Sequence, residues 1–117
     1  MATELEGNLP LQRFIQVLAH LNHQSAHMIQ SGDVALLPVI NEAIEEMYSI
    51  QHGNTEEAFT AIEEEMQIIC KNFNAITMML KSNESEEIDE ATSNAVRKFL
   101  HNIFDATVRI VYAYGLA

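Results

Sequence analysis

Three histidines in the first quarter of the chain have the type and spacing that could bind a metal ion. His20, His23 and His27 are close in sequence, and the last two are four residues apart. A helix places residues four apart side by side, at a separation that can chelate zinc, nickel or copper. On the heptad count all three lie opposite the apolar stripe, which favours a solvated face; a pH-sensing or partner surface is the other alternative. We therefore keep them as metal candidates that are not favoured and predict no bound cofactor.

Motifs that would carry catalysis are missing from the sequence. A di-iron bundle needs Glu-x-x-His on facing helices, yet the residues three positions before the five histidines are Val17, His20, Gln24, Ser49 and Lys98. The sequence also lacks His-Glu-x-x-His, Cys-x-x-Cys, a glycine-rich phosphate loop and a Gly-x-Ser-x-Gly turn. We therefore predict that the protein is not an enzyme.

The charge balance restricts the classes of partner. The chain has 17 acidic and 6 basic side chains, a formal net charge of −11, and no Lys or Arg between Arg13 and Lys71. Nucleic acids and anionic membranes need clustered cations, so both are excluded as partners, whereas a basic protein is electrostatically favoured. The acidic residues that we propose for contact with such a partner are Glu42, Glu45, Glu46, Glu63, Glu64 and Glu65.

These side chains must be positioned by helices, because apolar residues recur at steps of three and four along most of the chain. The pattern predicts four helical segments, which run from about Pro10 to Ser31, Leu37 to Gln51, Thr55 to Lys81 and Ser85 to Tyr112. Short connections favour antiparallel neighbours, so we predict an all-α, antiparallel four-helix bundle with the long third segment at its centre. A homodimer that shares helices between copies satisfies the same pattern.

The length and the cysteine content of the chain limit its expected number of domains and its expected cellular compartment. A chain of 117 residues is expected to form a single domain over residues 1–117, with residues 1–9 as a flexible N-terminal arm. One cysteine, Cys70, cannot form an internal disulfide, and the acidic N-terminal residues do not resemble a signal peptide. We therefore predict a cytoplasmic protein. The longest stretch without charged side chains, Phe14 to Gly32, contains histidines and glutamines and is too polar to span a membrane.

A second candidate surface is apolar. The residues that we propose for it lie outside the main stripe or in the apolar C-terminal tail, namely Ile68, Met78, Met79, Tyr112 and Tyr114. Methionines suit adaptable interfaces, and an apolar chain end is expected to be held by its own core or by a neighbour.

The two surfaces lead to three functional hypotheses. The first is a non-enzymatic, acidic, helical protein-binding module, such as a small chaperone, adaptor or secretion escort, that docks a partner through an apolar helical face. The second is an acidic inhibitor, immunity protein or nucleic-acid mimic that blocks a basic site. The third is a metal- or cofactor-binding bundle.

Overall fold

The computed structural model describes residues 9–54, 57–82 and 89–115, and these form four long helices, one short helix and one 3₁₀ turn. The elements are α1 (Leu9–Ser31), a 3₁₀ turn (Val34–Leu36), α2 (Leu37–His52), α3 (Glu57–Thr60), α4 (Glu63–Ser82) and α5 (Glu90–Ala113). Within the described ranges there is no strand, and the predicted all-α four-helix bundle is confirmed. Most of the predicted N-terminal arm, residues 1–8, lies outside the described residues, and Leu9 already belongs to α1.

Two polar pairs fix the antiparallel register of the main seams. Asn22 Nδ2 of α1 donates to Thr107 Oγ1 of α5 at 2.9 Å, and Asn102 Nδ2 of α5 donates to Asn72 Oδ1 of α4 at 2.9 Å. Thr107 is fully buried, and its own hydroxyl donates to the Phe104 carbonyl at 2.6 Å, so its polar atom is satisfied. One of these hydrogen bonds crosses the α1–α5 interface and the other crosses the α4–α5 interface. Together they set how far α1 and α4 can slide along α5.

The core is a continuous apolar layer between the helices. The three-four spacing in the first segment predicts an inward-facing stripe, and all of its residues are buried, namely Leu11, Phe14, Leu18, Leu21, Ser25 and Met28. Phe14 meets Phe59 edge to face, with ring centroids 5.5 Å apart. The α1 helix ends at Ser31, and Gly32 follows with a φ of 70°, a conformation that is strained for any residue with a Cβ. The Gly32 N–H donates to the Met28 carbonyl at 2.8 Å.

The helices form a ring in the order α2, α1, α5, α4, with extensive packing along the first three seams. The predicted central position of the third segment is wrong, because α4 packs mainly on α5, whereas α5 packs extensively on both α1 and α4. The fourth seam, between α2 and α4, is loose, since these two helices approach each other only over a short stretch.

The third segment is also not one helix. A turn at residues 61–62 separates α3 from α4. The carbonyl oxygens of Ala58 and Phe59, which would accept backbone bonds in a continuous helix, accept side-chain bonds from Tyr114 Oη at 2.9 Å and Gln51 Nε2 at 3.2 Å. These tertiary bonds replace the helical ones, and the chain restarts as α4 at Glu63.

The last helix begins later than the sequence predicts. Its first residue is Glu90, and Asp89 is the N-cap, with a side chain that accepts a bond from the Thr92 N–H at 2.6 Å. The predicted start at Ser85 lies outside the described residues.

Candidate functional site

The loose seam between α2 and α4 leaves a groove of about 460 Å³. Its lining residues are Asn41, Ile44, Glu45 and Tyr48 from α2 and Cys70, Phe73 and Asn74 from α4. On each helix these positions are three or four residues apart, which places them on one face. We call this feature the α2–α4 groove.

The floor and the wall of the α2–α4 groove are apolar. Ile44 and Phe73 belong to the core and are only 5% and 6% exposed, so they form a fixed floor. Tyr48 is 47% exposed, and its ring lies 4.1 Å from that of His52, measured between ring centroids. A tyrosine in this position offers a large apolar surface with a polar end, a combination enriched at protein interfaces.

The two rims of the groove differ in charge. Among the described residues that line it, Glu45 is the only charged one. Asn41 Nδ2 donates to Glu45 Oε1 at 3.3 Å. The α2 helix contains three glutamates and no Lys or Arg from Leu37 to His52. The α4 rim carries the uncharged Asn74, and the exposed Lys71 is the neighbour of Cys70 in sequence.

Cys70 lies half-buried in the α2–α4 groove as a free thiol. Its burial disfavours the thiolate and raises the pKa of the thiol above its usual value. Thiol reactivity depends on the thiolate fraction, so this cysteine is suited to packing rather than to nucleophilic chemistry.

The structure does not bring the five predicted apolar residues together. Ile68 and Met79 are half-buried on α4, while Met78 and Tyr112 are 70% and 67% exposed. Met78 lies six residues from Asn72, and Tyr112 lies ten residues from Asn102 in the opposite direction, which separates the two by roughly 24 Å along the bundle. These residues therefore do not form one continuous docking surface.

Tyr114 belongs to the core rather than to a free surface. Its ring lies edge to face with Phe14, with centroids 6.3 Å apart, and its hydroxyl donates to the Ala58 carbonyl. Burial raises the pKa of the Tyr114 hydroxyl well above its usual range. The described part of the apolar tail is thus held by the protein's own core, which is one of the two alternatives that the sequence left open.

The predicted acidic residues separate into two groups. Glu46 pairs with Arg13, and Arg13 Nη2 donates to Glu46 Oε1 at 3.0 Å; Arg109 Nε donates to Glu65 Oε2 at 2.7 Å. The hydrogen bond and the charge of Glu46 raise the pKa of the Arg13 guanidinium. The side chains of Glu42, Glu45, Glu63 and Glu64 are exposed.

The position assigned to the second glutamate cluster within its helix is wrong. The sequence places Glu63, Glu64 and Glu65 beyond the first turn of a helix that starts at Thr55, but α4 begins at Glu63, so all three lie in its first turn. Carboxylates there interact favourably with the helix dipole. This cluster therefore has a structural reason to exist without a partner.

A second cavity, of about 380 Å³, lies between α1 and α2. Its lining includes the Arg13–Glu46 ion pair, His20 and Glu42, with Val17 and Ala43 beneath. A charged pair already spans this cavity, so an apolar partner side chain would have to displace it.

The three predicted metal candidates, His20, His23 and His27, are exposed on α1. Over residues 9–54, 57–82 and 89–115, no group of three or more His, Cys, Asp or Glu side chains is arranged to hold a metal ion. In the same ranges, none of the helices is both long and apolar enough to cross a membrane.

Comparison of this chain with protein-family models, with curated proteins and with solved structures found no match.

In the second segment the three-four spacing predicts a stripe of Leu36, Ile40, Ala43, Met47 and Ile50, which leaves out Ile44 and Tyr48, so sequence reasoning missed the α2–α4 groove. The available signal was that Ile44 and Tyr48 lie four apart beside the Ile40, Ala43 and Met47 stripe, which widens the apolar face of α2 toward a further neighbour.

Proposed function

We propose that this protein is a non-enzymatic, acidic, helical protein-binding module, in the manner of a small chaperone, adaptor or escort, and that it docks a protein partner through the α2–α4 groove. The single observation that supports this most is the loose fourth seam of the bundle. There, two neighbouring helices leave a groove above a largely buried apolar floor and beside a half-exposed tyrosine.

The energetics of the groove favour a protein ligand with apolar side chains. Ile44 and Phe73 are already largely buried, so the gain on binding comes from covering Tyr48 and Cys70 and from burying the partner's own residues. Each leucine-sized side chain that becomes fully buried contributes about 1.5–3 kcal/mol. Two or three such anchors contribute about 3–9 kcal/mol, which is comparable only with the lower part of the roughly 4–15 kcal/mol entropy cost of association.

The remaining expectations from the sequence belong to this proposal as predictions. They are a cytoplasmic location, the absence of catalysis and the absence of a cofactor. An acidic inhibitor remains the alternative, but Arg13 and Arg109 already pair with two of the six candidate glutamates. A metal-binding bundle is the third candidate, and homodimerisation is a separate prediction.

Site-specific photo-crosslinking tests the proposal in native lysate. A benzophenone amino acid replaces Tyr48 in one protein and Tyr112 in a matched control, since both tyrosines are exposed but only Tyr48 lines the groove. We expect a discrete crosslinked partner from position 48 that persists at high salt and is missing from position 112.

Two results would count against the groove. Equal crosslinking from both positions would indicate non-specific contact. A partner that is lost entirely at high salt would favour the acidic-inhibitor alternative, because screening weakens charge contacts much more than apolar ones.

A further inference from the structure

The chemistry of the two rims constrains what can occupy the α2–α4 groove, provided that the proposed function holds. The α2 rim presents Glu45 on a helix without Lys or Arg, while the α4 rim presents the uncharged amide of Asn74. An occupant therefore meets a negative charge along one side of an apolar floor and none along the other.

We infer that the occupant is a single amphipathic helix of two to three turns, with basic residues along the flank that faces α2. Its apolar stripe lies over Ile44 and Phe73 and against Tyr48. Its opposite flank, facing α4, carries no basic residues, because the α4 residues that line the groove, Cys70, Phe73 and Asn74, offer no carboxylate.

The walls of the groove explain why the occupant is a helix. Both walls are α-helices whose backbone N–H and C=O groups bond internally, so no sheet edge is available for an added strand. The α2 lining from Asn41 to Tyr48 extends over roughly 10 Å, which is about two helical turns. A helix with apolar residues at positions i, i+4 and i+7 matches this length.

Charge complementarity favours such a helix over a second copy of this chain. A symmetric dimer through the groove would use the same surface of both copies, so each acidic α2 rim would face a chain of net charge −11. Like charges at an interface oppose association. A basic helix is instead attracted to the groove by the same negative charge.

A pair of synthetic peptides tests the inference without knowledge of the natural partner. Both are labelled 14-residue helices with leucines at i, i+4, i+7 and i+11. One carries lysines along a single flank, and its twin carries glutamates at the same positions. We expect the lysine peptide to bind the intact protein at 1:1 stoichiometry in fluorescence anisotropy and the glutamate peptide to bind much more weakly.

Charge reversal then separates the groove from the general negative charge of the protein. Glu45→Lys and Glu42→Lys change the net charge equally on the same helix, but only Glu45 lines the α2–α4 groove, whereas Glu42 lines the α1–α2 cavity. We expect Glu45→Lys to lower the binding affinity of the lysine peptide roughly five- to tenfold and to raise that of the glutamate peptide. Glu42→Lys is expected to have a clearly smaller effect on both.

The single cysteine supplies an independent measure of position. Because Cys70 lines the groove, a bound peptide should slow its alkylation by N-ethylmaleimide at least severalfold. Tyr48→Ala should weaken the protection, while Tyr112→Ala should not. Both variants truncate exposed side chains, and circular dichroism verifies that they remain folded.

The outcomes distinguish this inference from the proposed function. Equal effects of the two charge reversals, or alkylation that the peptide does not slow, would overturn the basic helix as occupant. If crosslinking from position 48 still finds a partner, the proposed function stands and the occupant has other chemistry. If neither experiment finds binding at the groove, both proposals fail.

Discussion

At the scale of single residues, Asp89 shows how one side chain fixes where a helix begins. Its carboxylate accepts the Thr92 N–H, and this bond lowers the pKa of Asp89. A carboxyl with a lowered folded pKa stabilises the protein above its unfolded pKa of about 3.9, and the stabilisation is lost as pH falls through the folded value.

We therefore expect Asp89→Ala to reduce the free energy of unfolding at pH 7 and to leave it nearly unchanged near pH 2. Urea unfolding at the two pH values measures this difference. Asp105→Ala, an exposed change in the middle of α5, is the control. A loss for Asp89→Ala that is equally large at both pH values would contradict the capping role.

Tyr114 can be compared with Tyr112 to test how much the hydrogen bond between the Tyr114 hydroxyl and the Ala58 carbonyl stabilises the protein. Tyr114→Phe keeps the ring against Phe14 but removes the bond to the Ala58 carbonyl, so we expect a loss of about 1 kcal/mol in stability. Tyr112→Phe changes an exposed side chain and should be neutral. Equal effects in thermal unfolding would show that the hydroxyl bond contributes nothing.

The ionisation of Tyr114 makes the free energy of unfolding depend on pH. A raised folded pKa means that the stabilising contribution is complete below the unfolded value of about 10 and declines as pH rises above it. We expect the wild type to lose more stability than Tyr114→Phe between pH 9 and pH 11. Identical losses would contradict the burial of this hydroxyl.

At the scale of elements, the break between α3 and α4 gives Glu63, Glu64 and Glu65 a role in starting a helix. We expect Glu64→Gln to destabilise the protein by about 0.3–1 kcal/mol at low salt and by less at high salt, because salt screens the helix dipole. Glu42→Gln, in the middle of α2, should be neutral or slightly stabilising, since it relieves repulsion with Glu46. The same loss for both variants would contradict the dipole interpretation.

The sequence predicted the helical elements well but not this break. The three-four spacing continues from Phe59 through Ile62 and Met66, so the period carries no sign of the turn at residues 61–62. The cause is tertiary, because Tyr114 and Gln51 reach the carbonyls of α3 from distant parts of the chain. Local pattern reasoning does not include such bonds.

At the scale of the whole molecule, the stripe of α1 was predictable and the arrangement of the helices around the core was not. The period identifies which face of each helix is apolar, and the buried residues of α1 match that face. It does not determine which seams close. Polar pairs such as Asn22 with Thr107 fix the α1–α5 seam, and the space left between α2 and α4 follows from the whole assembly.

The candidate site was correspondingly harder to predict than the fold. The acidic residue Glu45 was identified from the sequence, and it does line the α2–α4 groove. The predicted apolar residues Met78 and Tyr112 are exposed but lie toward opposite ends of the bundle. Distance between helices, rather than residue type, decides which exposed apolar groups can act together.

The central claim is that a protein partner docks between α2 and α4. The measurement that tests it most directly is an amide-resonance titration of the 13.2 kDa protein with the lysine peptide, followed residue by residue. We predict saturable shifts concentrated at Asn41, Glu45, Tyr48, Cys70 and Asn74, with little change at Met78 and Tyr112. Shifts centred on α1 and α5, or spread evenly over the acidic surface, would contradict the claim.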